Sequence, residues 1–210
     1  MGAIMAKIRA AAAISVLATA ARAETVGFNA DPVGAAPAGW LCGSTGGGSP
    51  RWTVEADAGA PSPPNVLKQS GKAPFPWCVK QGTSLVDGAV EVKFKPMAGR
   101  EDQAGGVVWR WKDGDTYYVA RANALENNVA LYYVQRGNRV TIKYVDAPVP
   151  GNVWHSLRIE FRGTRVRALL DGKAYIELDD DRIAGSGAVG VWTKADSVTV
   201  FDDFAYQPAP

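Results

Sequence analysis

Arg110, Tyr117, Arg121 and Asn123 fall within two consecutive runs of β-forming residues, Gly106–Trp111 and Thr116–Asn123. A guanidinium or an amide bonds two hydroxyls at once in fixed planar geometry, and a flat aromatic ring covers the apolar face of a sugar. Asn127 and Tyr132 follow shortly after, and Trp192, Lys194 and Asp196 repeat the same residue types near the C-terminus. The chemistry open to this set is recognition of a polyhydroxylated ring. Hydrolysis of a sugar would also need two carboxyls about 5 to 9 Å apart across the scissile bond. Glu126, in the polar segment Ala122-Asn123-Ala124-Leu125-Glu126-Asn127-Asn128, is the candidate general acid or base; a solvated loop carboxylate is its plainer reading.

Other chemistries find little support. His155 is the only histidine, which leaves no multi-histidine metal site and none of the triads that need more than one. No phosphate-binding glycine loop, nucleophile elbow or zinc motif occurs, so no cofactor is expected. The acidic runs Asp179-Asp180-Asp181 and Asp202-Asp203 offer oxygen ligands of the kind Ca²⁺ takes, without the interspersed Gly or Asn of a usual calcium loop.

Short strands must position these residues. From Thr83 onward, runs of five to eight residues rich in Val, Tyr, Trp, Phe and Leu alternate with turn signals, the pattern of antiparallel sheets. Ten such runs are expected as strands, from Ala89–Lys95 to Val198–Tyr206, and imply an all-β, two-sheet jelly-roll sandwich. If Asp113-Gly114 forms a two-residue hairpin turn, Lys112 pairs with Asp115, Arg110 with Tyr117 and Val108 with Val119. One face then carries Arg110, Tyr117, Arg121 and Asn123, and the core face carries Trp109, Trp111 and Tyr118. The expected partners of the two arginines, if they pair internally, are Asp202 and Asp203. The part from residue 24 to 76 reads as loop-rich, with short strands, aromatic anchors at Phe28, Trp40 and Trp52, and prolines that rule out continuous helix.

Residues 1 to 23 read as a secretory signal: Lys7 and Arg9, an apolar run from Ala10 to Ala20, then Ala21-Arg22-Ala23 as a cleavage site. That run is too short to span a membrane. The remainder, 24–210, reads as one domain, periplasmic or secreted. The leader holds three basic residues and no acid, so the 23 Lys+Arg of the whole chain fall to 20 against 21 Asp+Glu, a net −1. Nothing in that balance points to nucleic acid. Cys42 and Cys78 are the only cysteines and are expected to form a disulfide in an oxidising compartment.

Several stretches carry a family resemblance: Gly105-Gly106-Val107-Val108-Trp109-Arg110, Asp115-Thr116-Tyr117-Tyr118-Val119-Ala120-Arg121, Trp154-His155-Ser156-Leu157, Leu170-Asp171-Gly172 and Gly187-Ala188-Val189-Gly190-Val191-Trp192. In order and spacing they resemble the concanavalin A-like lectin/glucanase superfamily, in particular laminin-G-like jelly rolls and the bacterial 3-keto-disaccharide hydrolases. The resemblance implies a curved sandwich whose concave face takes a sugar. It departs from the hydrolases near the last strands, where a Gly-Leu-Gln-x-His-like segment gives way to Gly190-Val191-Trp192-Thr193-Lys194. The leading expectation is therefore an exported carbohydrate-binding sandwich. A glycoside hydrolase of the 3-keto type and a structural or protein-binding envelope module are the alternatives.

Overall fold

The computed structural model describes residues 23–209, so the expected signal peptide, apart from its last residue, lies outside the described residues. Among these residues fifteen strands form two antiparallel sheets packed face to face. One sheet runs, in spatial order, β13 (Lys173–Asp179), β12 (Arg165–Leu170), β11 (His155–Arg162), β6 (Gly88–Ala98), β15 (Val198–Pro208), β4 (Asn65–Gln69) and β3 (Trp52–Ala56), with β1 (Glu24–Val26) also paired to β15. The seven-stranded sheet runs β10 (Asn138–Asp146), β9 (Asn128–Gln135), β8 (Thr116–Asn123), β7 (Ala104–Asp113), β14 (Ala188–Trp192), β5 (Phe75–Lys80) and β2 (Trp40–Thr45). All ten expected strands are present as β6 to β15.

The core between the sheets follows from strand alternation. Trp109 and Tyr118 are cross-strand partners, fully buried, with rings stacked at 5.0 Å, and Phe161 of the facing sheet lies 6.3 Å from Trp109. The short strands expected between residues 24 and 76 include β2, β3 and β4, with β5 starting at its end; β2 and β5 complete an edge of one sheet and β3 and β4 an edge of the other. Phe28, Trp40 and Trp52 are all buried in the core, as anchors should be. Cys42 and Cys78 face each other directly across β2 and β5, with Cα atoms 3.9 Å apart, and are joined as a disulfide that fastens the edge strand β2 to the sheet.

The expected hairpin register holds in part. Val108 pairs with Val119 and Trp109 with Tyr118, but Asp113 pairs with Thr116, so the turn is Gly114-Asp115 rather than Asp113-Gly114. The Asp113 carboxylate accepts the Asp115 N–H at 2.9 Å, an Asx turn that moves the corner by one residue. A β-bulge between Trp109 and Asp113 absorbs the difference, with Arg110 at φ 47°. The bulge needs a close neighbour without a side chain, and Gly187 is that neighbour: a Cβ there would lie 2.6 Å from the Arg110 Cα. Past the bulge the alternation inverts, so Arg110 and Trp111 exchange the faces expected of them.

Two outcomes are expected. Trp109→Ala should cost about 3 to 5 kcal/mol by opening a cavity in the core, read from denaturant unfolding. Thiol titration of unreduced, denatured protein should find no free cysteine, and Cys42→Ser with Cys78→Ser should cost about 3 to 4 kcal/mol.

Candidate functional site

The outer face of the seven-stranded sheet carries an apolar cluster of its own, which includes Trp77, Val108, Tyr117, Val119, Tyr132 and Trp192. Register places Tyr144, Ala130, Arg121, Gly106, Trp192, Trp77 and Gly43 in one continuous row across β10, β9, β8, β7, β14, β5 and β2. Small residues leave room for large ones: the Trp77 ring lies where a Cβ on Gly43 would sit, 2.7 Å away. An adjoining row sets Tyr132 beside Val119, and Val119 beside Val108. Tyr117 pairs with Val134 and bonds the Thr45 hydroxyl at 2.8 Å. Burial pushes the Tyr117 phenol up to about 12, so it stays neutral.

Tyr117, Tyr132 and Trp192 are fully buried and form a floor. Phe75 stacks on Trp192 at 6.1 Å, and Trp111 sits 5.3 Å from Trp77. The rings that reach solvent are Tyr144, 47% exposed, and the half-buried Phe75 and Trp111. Of these three, Tyr144 lies in an edge strand and Phe75 at the end of the proline-rich N-terminal part, where the sequence pattern is weak. Trp111 was expected in the core, and the bulge brings it out.

One end of this face is a polar network built on Arg121, whose side chain is fully buried. Its Nη2 donates to Glu126 Oε2 at 2.6 Å, its Nη1 to Asn128 Oδ1 at 3.3 Å and its Nε to the Tyr132 hydroxyl at 3.1 Å. The Tyr132 hydroxyl donates in turn to Tyr144 Oη at 2.7 Å, and Asn128 Nδ2 also donates to Glu126, at 3.0 Å. The expected partners Asp202 and Asp203 are engaged elsewhere. Asp202 accepts backbone N–H groups from Ser62 and Asp203, and Asp203 pairs with Lys93. Burial raises the Glu126 pKa, but the hydrogen bonds from Arg121 and Asn128 and the Arg121 charge outweigh it, leaving the carboxyl below its ordinary range. Glu126 is thus held ionised, the wrong state for a general acid at neutral pH.

The other nominated residues divide. Asn123 donates to Asp102 at 2.5 Å, and Lys194 pairs with the second Asp102 oxygen at 2.6 Å, an internal relay beside Arg121. Asp196 accepts the N–H groups of Arg100, Glu101 and Asp102 and so holds a loop. Asn127, at φ 47°, accepts the Val149 N–H through its side chain and shapes the turn that carries Glu126. Arg110 is separated from all of them by the bulge. Its guanidinium donates to the carbonyls of Val86, Ile183 and Gly163 and lies 3.4 Å from Asp87, tying three connections together at an end of the sandwich. His155 bonds Asp171 and the Pro150 carbonyl.

The acidic runs are occupied by protein donors: Asp179 by the Thr164 hydroxyl, Asp180 by Tyr118 and Arg182. Among the described residues no group of three His, Cys, Asp or Glu side chains is placed to hold a metal.

No family model matches this chain, and no curated protein matches it in sequence. Solved structures match it in fold. The carbohydrate-binding module CBM66 from Bacillus subtilis superposes with a TM-score of 0.67 at 20% identity, over 80% of this chain and 95% of that one. A Bacillus subtilis protein of unknown function with a galectin-like fold gives 0.57 at 13% identity, over 80% and 88%. The Bacillus licheniformis β-glucanase gives 0.53 at 13% identity, over 91% and 99%. The fold is a jelly-roll sandwich of the concanavalin A-like type.

Arg121→Ala should destabilise the protein by about 3 to 5 kcal/mol, because it strips the turn of its buried cation and leaves Tyr132 and Glu126 without their donor. The pH dependence has a definite sign. A carboxyl whose folded pKa is depressed contributes stability above its unfolded value, about 4.3, and that contribution is lost as pH falls through the folded value. Wild type should therefore lose stability more steeply than Glu126→Gln below about pH 4.3, read from urea midpoints. Parallel curves would mean that the pair contributes nothing.

Proposed function

We propose that this protein binds a carbohydrate on the outer face of its seven-stranded sheet. The observation that carries the reading is a juxtaposition: solvent-reaching rings, Tyr144 above all, stand beside the ordered donors and acceptors of the Arg121, Glu126 and Asn128 network. Rings at the surface supply flat apolar contact, and the network fixes polar groups in place before a ligand arrives, which lowers the cost of ordering them. The fold shared with a carbohydrate-binding module and with a β-glucanase supports the same reading. Glu126 is tied up by hydrogen bonds from Arg121 and Asn128 within the protein, which supports a positioning role over hydrolysis.

The protein acts outside the reducing cytosol. The Cys42 and Cys78 disulfide supports that location, as does the leader-like N-terminal sequence, and no helix among the described residues is long and apolar enough to cross a membrane.

A glycan array probed with the mature protein should retain at least one oligosaccharide class. Tyr144→Ala should weaken binding of that class by about tenfold, roughly 1.4 kcal/mol, measured at a temperature where the variant is fully folded. An array without signal would defeat the reading in favour of a structural or protein-binding module.

A further inference from the structure

We infer that the sugar bound on this face carries a carboxylate and that Arg139 is the residue that reads it, an inference that rests on the carbohydrate-binding reading above. The turn Arg136-Gly137, with φ 52° and 75°, starts β10 so that Arg139 pairs with Val134 and Val134 with Tyr117, on the outer face. Its guanidinium carbon lies 4.2 Å from the Tyr132 ring centre, 4.6 Å from that of Phe75 and 5.9 Å from that of Trp192. Three rings therefore hold a flexible side chain in one place.

What the rings do not supply is an anion. Among the described residues no carboxylate lies within salt-bridge distance of Arg139, no protein acceptor takes any of its side-chain N–H groups, and its Nη1 is buried. Every other described arginine is either solvent-exposed or paired: Arg110 with Asp87, Arg121 with Glu126, Arg158 with Glu91, Arg167 with Glu160. Lys194, at the polar end of the face, is paired with Asp102. Arg139 is thus the uncompensated cation of the face, half-buried at the cost of part of its hydration. A guanidinium presents its donors as a planar fork that a carboxylate meets with two parallel hydrogen bonds, the arrangement that repays such a cost best. The face that offers rings to a sugar offers Arg139 to an acid on that sugar.

The test uses matched ligands: uronic-acid oligosaccharides, their neutral methyl esters and sulfated oligosaccharides, titrated calorimetrically into the mature protein. The acid form should bind at least tenfold more tightly than its ester, and more tightly than the sulfated set. Arg139→Met, which keeps length and ring packing, should abolish that difference without changing ester affinity, and Arg139→Lys should restore only part of it. Raising salt should weaken the acid form alone. Equal binding of acid and ester by wild type, or preference for sulfate, would overturn the carboxylate assignment while leaving the carbohydrate reading in place. A lower melting temperature in Arg139→Met with an intact acid preference would make Arg139 a structural cover and overturn its role. Absence of binding to any glycan would overturn both.

Discussion

A fully buried guanidinium has to be answered, and the answer given to Arg121 organises one end of this molecule. Burying a charge is costly without a partner, and the partner here is Glu126, only five residues along the chain. For that carboxylate to reach back, the connection between β8 and β9 must turn sharply, which Asn127 does in a left-handed conformation while its carbonyl and side chain hold Ala147 and Val149. The remaining donors of Arg121 then fix Asn128 and Tyr132, and Tyr132 fixes Tyr144. A solvent-reaching ring is thereby positioned by a buried charge, which also lies 5.8 Å from that ring's centre.

The second constraint is that the seven-stranded sheet is apolar on both sides. Strands buried on both faces read as near-continuous hydrophobic runs rather than alternating ones, and β8 and β9 do so. The inner face packs against the other sheet through Trp109 and Tyr118. No strand covers the outer face among the described residues, and its floor of Tyr117, Tyr132 and Trp192 is shielded by neighbouring side chains instead, Phe75 and Arg139 among them. Side chains that shield a floor in this way also form the surface a ligand would meet. The floor sets their positions, and the polar network sets the chemistry at one end.

How much of this could be read from the chain depended on range. Strand runs, turn residues and the cysteine pair are local or nearly local signals, and the ten later strands, the sandwich and the disulfide follow from them. Arg121 was legible as unusual, since a strand-interior arginine needs a partner, but its partner was sought far away at Asp202 and Asp203 while Glu126 lay nearby. The bulge at Arg110 was not legible. It depends on an Asx turn and on the bare backbone of Gly187, which is distant in sequence, and one such bulge moves Arg110 off the face and Trp111 onto it. Arg139 was not legible, because an edge strand with one exposed side gives a weak pattern. Phe75 lay hidden in a segment whose prolines and glycines mask its strands.

The indole N–H groups of Trp77, Trp111 and Trp192 lie on the outer face, and those of Trp52 and Trp109 lie on the core side. None of the five has a hydrogen-bond partner in the protein. They report on the two faces separately. In a proton–nitrogen correlation spectrum titrated with a glycan the protein retains, the signals of Trp77, Trp111 and Trp192 should move and those of Trp52 and Trp109 should stay. Shifts confined to Trp154, whose indole bonds the Gly59 carbonyl beside the other sheet, would contradict the assignment of binding to this face.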